Sequence, residues 1–268
     1  MIKVLLLILI ISTNLLSRPL YELGLGYVGF YSPHYPGSDQ TEFRSALLPL
    51  VVYRGETIYA DEEGIKSDIS KRDWYNLELS VVAAFPANSN DNRAREGMEN
   101  LDWLAEFGPS FAIHLYKSTN KFLDLRLQAR AVYSTDFSDV TYRGYVSHVM
   151  FYYEKSNFVK KGITLFLRAG SVYGSERIMD YFYEVEQKDV RADRPKYDAK
   201  PGYLESHFDL GFLYDPGSRL RYYLGFQRNF YNNTENQDSP LHRANEAFSV
   251  GVGLTWTMFK SEAQEKRN

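Results

Sequence analysis

Glu205, His207 and Asp209 alternate along the segment 204–214. Alternation of this kind puts all three side chains on one face of an extended strand. Neighbours two residues apart on such a face stand about 7 Å from one another. An imidazole between two carboxylates is a candidate general base oriented by a neighbouring acid. The same three residues also read as a stretch of polar wall in which charges pair and nothing reacts. A second polar row is Asp124, Arg126, Gln128 and Arg130, which alternates with Leu123, Leu125, Leu127, Ala129 and Ala131. Glu78 shares a face with Asn76 and Ser80 in 74–85, and Glu106 shares one with Ser110 and His114 in 103–116. Arg168 adds a further cation.

Other chemistry is thinly represented. The chain has no cysteine, so it has no thiol nucleophile, disulfide or thiolate metal site. It contains no Gly-x-Ser-x-Gly, no His-Glu-x-x-His and no phosphate loop. Asp61-Glu62-Glu63 could hold a cation, but its spacing is not that of an EF-hand and it reads as a solvated turn. No cofactor is expected. A net charge of −3 without a basic stripe argues against a nucleic-acid partner.

The elements that carry these rows repeat. Segments of about ten residues with alternating polarity are separated by turn residues, the pattern of a transmembrane β-barrel. They are Tyr21–Tyr31, Ser45–Tyr53, Trp74–Phe85, Trp103–Tyr116, Phe122–Tyr133, Tyr142–Tyr153, Ile163–Tyr173, Leu204–Tyr214, Leu220–Phe230 and Ala247–Phe259. The 22 tyrosines, 17 phenylalanines and 18 glycines suit strands rich in aromatic residues. Linkers alternate in length. Those at 118–120, 156–162 and 215–218 are short, and those at 86–102, 134–141, 174–202 and 231–246 are mostly longer. Short periplasmic turns and long outer loops have this rhythm, and a soluble sandwich has no reason for it.

For every long linker to lie outside, 57–73 must supply two more strands, Thr57–Asp61 and Ile65–Ile69. The total is then about twelve strands, an even number; one continuous strand there would give about ten. Pro49 lacks a ladder donor and should mark a bulge or a strand end. The last strand turns Phe248, Val250, Val252, Leu254 and Trp256 one way, with Ser249, Gly251, Gly253, Thr255 and also Phe259 on the other face.

The start of the chain reads as an export signal. Lys3 precedes the apolar run Val4–Ile11, and Ser17 is a small residue suited to a cleavage point. That run is too short to span a bilayer as a helix. Residues 1–17 are therefore expected to be a signal peptide, 18–259 the barrel and 260–268 a charged tail. With a mean hydropathy of −0.40 the rest of the chain has no spanning helix, and a closed barrel is the only other structure that satisfies the backbone in lipid.

In an all-β barrel the charged rows face the lumen. Arg126, Arg130 and Arg168 stand beside Glu78, Glu106, Asp124 and Glu205. They either pair and fill a narrow bore or form a constriction that selects small solutes. The filled bore is favoured, because the barrels that hold an aqueous channel have more strands.

Two stretches then point to a family. Leu25-Gly26-Tyr27-Val28-Gly29-Phe30-Tyr31-Ser32-Pro33-His34 runs into the loop Tyr35-Pro36-Gly37-Ser38-Asp39, followed by Leu48-Pro49-Leu50-Val51-Val52-Tyr53-Arg54-Gly55. This resembles the opening of the MipA/OmpV family of outer-membrane proteins. Tyr181-Phe182-Tyr183-Glu184-Val185, Tyr197-Asp198-Ala199 with Gly202, Asp238-Ser239-Pro240-Leu241 and Ser249–Trp256 are similar to its later stretches. The resemblance implies a non-enzymatic barrel in the bacterial outer membrane, set among outer-membrane lipids. It further implies a scaffold that joins a murein lytic transglycosylase to a murein synthase. Other members are linked to adhesion, osmotic response and antibiotic entry. The chain departs from the family at its end, where an aromatic terminus is usual and Phe259 is instead followed by Lys260–Asn268. Two other readings stay open: a narrow solute pore, and a barrel enzyme using His207 or His114.

Overall fold

The computed structural model describes residues 20–54, 58–61 and 64–261. Among these, twelve strands form one antiparallel sheet in which each pairs with its neighbour in sequence and the last pairs with the first, closing a barrel. The strands are β1 Leu20–Pro33, β2 Thr41–Arg54, β3 Ile58–Asp61, β4 Gly64–Lys71, β5 Tyr75–Ala84, β6 Trp103–Lys117, β7 Lys121–Thr135, β8 Val140–Lys155, β9 Ile163–Gly174, β10 Gly202–Tyr214, β11 Leu220–Phe230 and β12 Glu246–Lys260. The expected signal peptide lies outside the described residues.

Period-two patterning sets which side chains point inward. In β7 Asp124, Gln128 and Arg130 are buried while Leu127 and Ala129 are exposed. In β12 Ser249, Thr255 and Thr257 are buried while Phe248, Val252, Leu254 and Trp256 are exposed. Such an apolar outer wall is costly in water and natural in lipid. Aliphatic Leu127, Val149, Leu224 and Val252 lie between two aromatic belts. Trp74, Tyr116, Tyr222 and Trp256 stand toward the short-turn end, and Tyr31, Phe43, Tyr145 and Tyr173 toward the other. Belts of this kind sit at the two membrane interfaces.

The two short strands expected between β2 and β5 are present as β3 and β4. Four features differ from the sequence expectation. The linker at 134–141 is a tight turn between β7 and β8, because Asp136 Oδ1 accepts the backbone N–H groups of Ser138 and Asp139 at 2.8 and 3.1 Å. The linker at 174–202 holds a helix, α1 (Glu176–Tyr183). Pro49 lies inside β2, opposite Leu25 in an unbroken register, and makes neither bulge nor end. It is tolerated because β2 pairs with β3 only at Tyr53 and Arg54 among the described residues, so at Pro49 that edge has no ladder to interrupt. Finally, a bulge between Leu23 and Gly24 skips Met258, so Phe259 pairs with Leu23 just as Trp256 pairs with Leu25. Phe259 therefore shares the outward face with Trp256, because one extra residue reverses the alternation.

Candidate functional site: a charged lumen beneath an apolar cap

The inward faces of β5 to β8 form a connected polar wall. His114 Nδ1 meets Asp124 Oδ1 at 2.8 Å, and Arg126 approaches the other Asp124 oxygen at 3.7 Å. The Arg126 guanidinium lies 3.8 Å from the centroid of the buried Tyr152 ring. Gln128 donates to Ser110 at 3.1 Å. Arg130 donates to Ser80 at 3.2 Å and to Glu106 at 3.4 Å, and His148 approaches the same Glu106 oxygen at 3.7 Å. Asn76 donates to the buried Glu78 at 3.3 Å. The register explains the grouping, since Ser110 stands opposite Gln128, His114 opposite Asp124, and Glu78 opposite Ser110.

Glu205, His207 and Asp209 do share the inward face of β10, yet they are not assembled as an acid–base group. His207 Nδ1 is 3.9 Å from Glu205, beyond hydrogen-bond reach. Glu205 instead accepts from Asn229 at 3.0 Å, and Asp209 meets Arg168 at 3.5 Å. Each carboxylate is turned to a partner other than the imidazole. No group of three or more potential metal ligands occurs among the described residues. Asp61 ends β3, and Glu62–Glu63 lie outside the described residues.

The opposite wall is rich in glycine, and the Phe30 and Tyr223 side chains lie over its Gly251 and Gly253. Gly24, Gly26, Gly211, Gly225, Gly251 and Gly253 occupy inward positions of β1 and β10 to β12, in register with buried Glu22, Asn229 and Ser249. A side chain at Gly225 would meet nothing within 4 Å. Below this wall Glu22 is held by Arg221 at 2.8 Å and Lys260 at 3.1 Å.

The long-loop mouth carries a small core of its own. Ile178, Met179, Phe182 and Tyr183 fall on one face of α1, and all are buried. They join Leu104, Val132, Val146 and Val172, which project from the wall into that end of the bore, and Tyr35, Ala94, Leu101 and Leu241 from the other loops. Met179 and Leu241 are fully buried. The loop 35–39 is the knot of this cap. Tyr35 donates to the Leu241 carbonyl at 2.7 Å, Tyr183 donates to the Pro36 carbonyl at 3.0 Å, and Asn92 donates to Ser38 Oγ at 3.0 Å. The Gly37 carbonyl receives the N–H groups of Arg243 and Ala244, and the residue holds a φ of 80° that favours glycine. Asp39 pairs with Arg93 at 3.0 Å. Buried Arg95 ties the cap further, donating to the Phe182 carbonyl at 3.1 Å and to Ser89 Oγ at 3.3 Å.

Sequence reasoning missed the cap and the inward His148, Glu22 and Arg221. The helical spacing of Ile178, Met179, Phe182 and Tyr183 was the available signal for α1.

Burial and the nearby Glu184, Glu176 and Asp198 push the Asp180 carboxyl up to about 6. An acid raised in the folded state contributes stability that is complete below its unfolded value near 3.8 and is lost as pH rises through about 6. The cap should therefore be tighter at pH 5 than at pH 7.5. Amide protection factors in α1, corrected for the intrinsic pH dependence of exchange, should be larger at the lower pH, and Asp180→Asn should remove most of that difference. Equal protection factors at both pH values in the parent protein would contradict this.

The family model for MltA-interacting protein MipA matches residues 25–258. No curated protein matches the chain. Among solved structures, the NanC porin is 13% identical over 87% of this chain and 100% of its own, with a TM-score of 0.41. An outer membrane channel from Pseudomonas putida F1 is 13% identical over 92% of this chain and 97% of its own, with a TM-score of 0.43. A bacterial polysaccharide outer membrane secretin is 8% identical over 89% of this chain and 99% of its own, with a TM-score of 0.43. It is the family match, not these distant structures, that places the protein. The chain belongs to the MipA family and is an outer-membrane β-barrel.

Proposed function

We propose that the protein is a capped, non-catalytic barrel that anchors murein-processing enzymes at the outer membrane. The apolar core over the long-loop mouth, with Met179 and Leu241 fully buried, is the observation that carries this reading. A barrel stoppered at its outer end has no through-path for solute, and its other end is free for partners. The family name, MltA-interacting protein, supports a murein lytic transglycosylase as the partner; a murein synthase is the second member that the resemblance to the family implies. By the rule of short periplasmic turns, the end carrying Arg219, Arg221 and Lys260 faces the periplasm. There a pocket of about 320 Å³ is lined by these cations with Glu22 and Thr257. The engagement of Glu205 by Asn229 and of Asp209 by Arg168 weighs against an enzyme.

Crosslinking in native membranes followed by purification of the barrel tests this. A murein lytic transglycosylase should be enriched, and Arg219→Glu with Lys260→Glu should reduce its recovery several-fold. Full recovery of crosslinked barrel without any cell-wall enzyme would overturn the proposal.

A further inference from the structure

Two neighbouring turns at the short-turn end form one cationic patch. Residues 117–121 carry Lys117 and Lys121, and residues 155–162 carry Lys155, Lys160 and Lys161, with no acid in either stretch. The Ser156 N–H donates to the Asn120 carbonyl at 2.8 Å and ties the two turns together. The second turn is braced from within, since Asn157 Oδ1 accepts the Gly162 N–H at 2.9 Å and the Ile163 carbonyl accepts the Phe158 N–H at 2.8 Å. None of the five lysines meets a carboxylate among the described residues, whereas Arg221 and Lys260 at the same end share Glu22. A chain with a net charge of −3 thus gathers five cations on one arc of its periplasmic end.

The register sharpens the crowding. Lys121 on β7 stands directly opposite Lys155 on β8. Like charges in that position repel across the ladder and weaken it unless an anion sits between them. The pair follows Leu125 opposite Phe151 and Leu123 opposite Tyr153 along the outward face. Both side chains therefore leave the wall toward lipid, beside the inner aromatic belt. Each lies against an aromatic ring, with Lys121 Nζ 5.2 Å from the centre of Tyr116 and Lys155 Nζ 5.4 Å from that of Phe158. Phe158 folds back onto the outward face of β10, its ring 6.5 Å from that of Phe212. Val159 keeps 79% of its surface exposed, just before Lys160 and Lys161. An apolar tip set among cations on the lipid-facing side fits a bilayer interface, where apolar groups enter the acyl boundary and cations stay with the headgroups.

We propose that this patch binds the phosphate of an anionic phospholipid in the periplasmic leaflet, held between Lys121 and Lys155, with Lys160 and Lys161 adding to the local positive potential. The outward direction of the lysine pair and the exposed Val159 beside it select a lipid over an acidic protein, which would approach from the periplasm. A phosphate between the two lysines removes their mutual repulsion, so the headgroup also steadies the end of the β7–β8 ladder. None of these residues lines the pocket of Arg219, Arg221 and Lys260, so the lipid site and the proposed protein contact are separate.

The absence of cysteine allows single-cysteine labelling. Val159→Cys and, as a control, the lipid-facing Val252→Cys are labelled with bimane and reconstituted into phosphatidylcholine vesicles. A minor fraction of the lipid is phosphatidylglycerol or phosphatidylcholine carrying a doxyl group near the headgroup end of one acyl chain. Each lysine at an anionic lipid surface favours association by about fivefold. Quenching at position 159 should therefore be several-fold stronger from the phosphatidylglycerol probe than from the phosphatidylcholine probe, and nearly equal from the two at position 252. Lys121→Gln with Lys155→Gln should abolish the preference, and Lys121→Arg with Lys155→Arg should keep it. Equal quenching of position 159 by both probes, an equal preference at 252, or a preference that survives the double glutamine variant would each overturn the proposal. Access of iodide to 159 without quenching by either lipid would place the tip in water and overturn it as well. The shift in gel mobility on boiling confirms that each variant is a folded barrel before it is read.

Discussion

Replacing Met179 with aspartate should unfasten the cap and leave the barrel standing. Met179 is fully buried at the centre of the apolar cluster, between the lumen-facing valines of β7, β8 and β9 and the loops. Removing a buried methionine side chain costs about 2–5 kcal/mol. Placing an unpartnered carboxyl in the same site adds about 1–3 kcal/mol by the measure of protein mutants. The sum, about 3–8 kcal/mol, is large beside what one helix of eight residues can recover from its own hydrogen bonds. The strands below are held by ladders that do not involve α1. The expected result is rapid protease cleavage within 176–201 in folded, heat-modifiable protein, where the parent resists. Met179→Leu, which nearly keeps the volume, should behave as the parent. A protease-resistant Met179→Asp variant would show that α1 is not held by this core.

The second large effect lies in the bore. Arg130→Ala should destabilise the barrel more than the loss of any single rim charge. Arg130 links Glu106 on β6 and Ser80 on β5 from its place on β7, so it crosses two strand boundaries. Removing one partner of a buried ion pair costs about 3–5 kcal/mol, because the other is left uncompensated. The Glu106 side chain keeps 21% of its surface and retains His148 at 3.7 Å, so the lower end of that range applies. Adding Glu106→Gln should restore part of the loss. Unfolding in detergent with increasing urea measures both. A double variant no more stable than Arg130→Ala alone would mean that the pair is not the source of the effect.

Alternation alone suits a soluble sandwich as well as a barrel; the barrel was legible in the sequence because the export signal, the short–long rhythm of the linkers and the family resemblance were added to it. The row Asp124, Arg126, Gln128 and Arg130 could only line the other side. The strand count followed from parity, which demanded two strands in 57–73 although neither looked long enough. Where local pattern failed, tertiary context had intervened. The bulge at Met258 is invisible to simple alternation and turned Phe259 outward. Pro49 looked like a break, yet the missing ladder that tolerates it depends on the shortness of β3. The Tyr-Pro-Gly-Ser-Asp loop stood out as a motif, but its work is done by contacts to Leu241, Tyr183 and Asn92, remote in sequence. The histidine between two acids on β10 showed the opposite failure. The spacing was right for a base, but Asn229 and Arg168, from neighbouring strands, hold the two carboxylates.

The central claim is that this barrel is stoppered at its outer mouth by a core built on α1. Single-channel recording in planar bilayers tests it most directly, with the Met179→Asp variant inserted under the same conditions as the positive control. The account predicts no steady conductance from the parent protein and discrete openings from the variant. Stable, long-lived openings from the parent protein would contradict it.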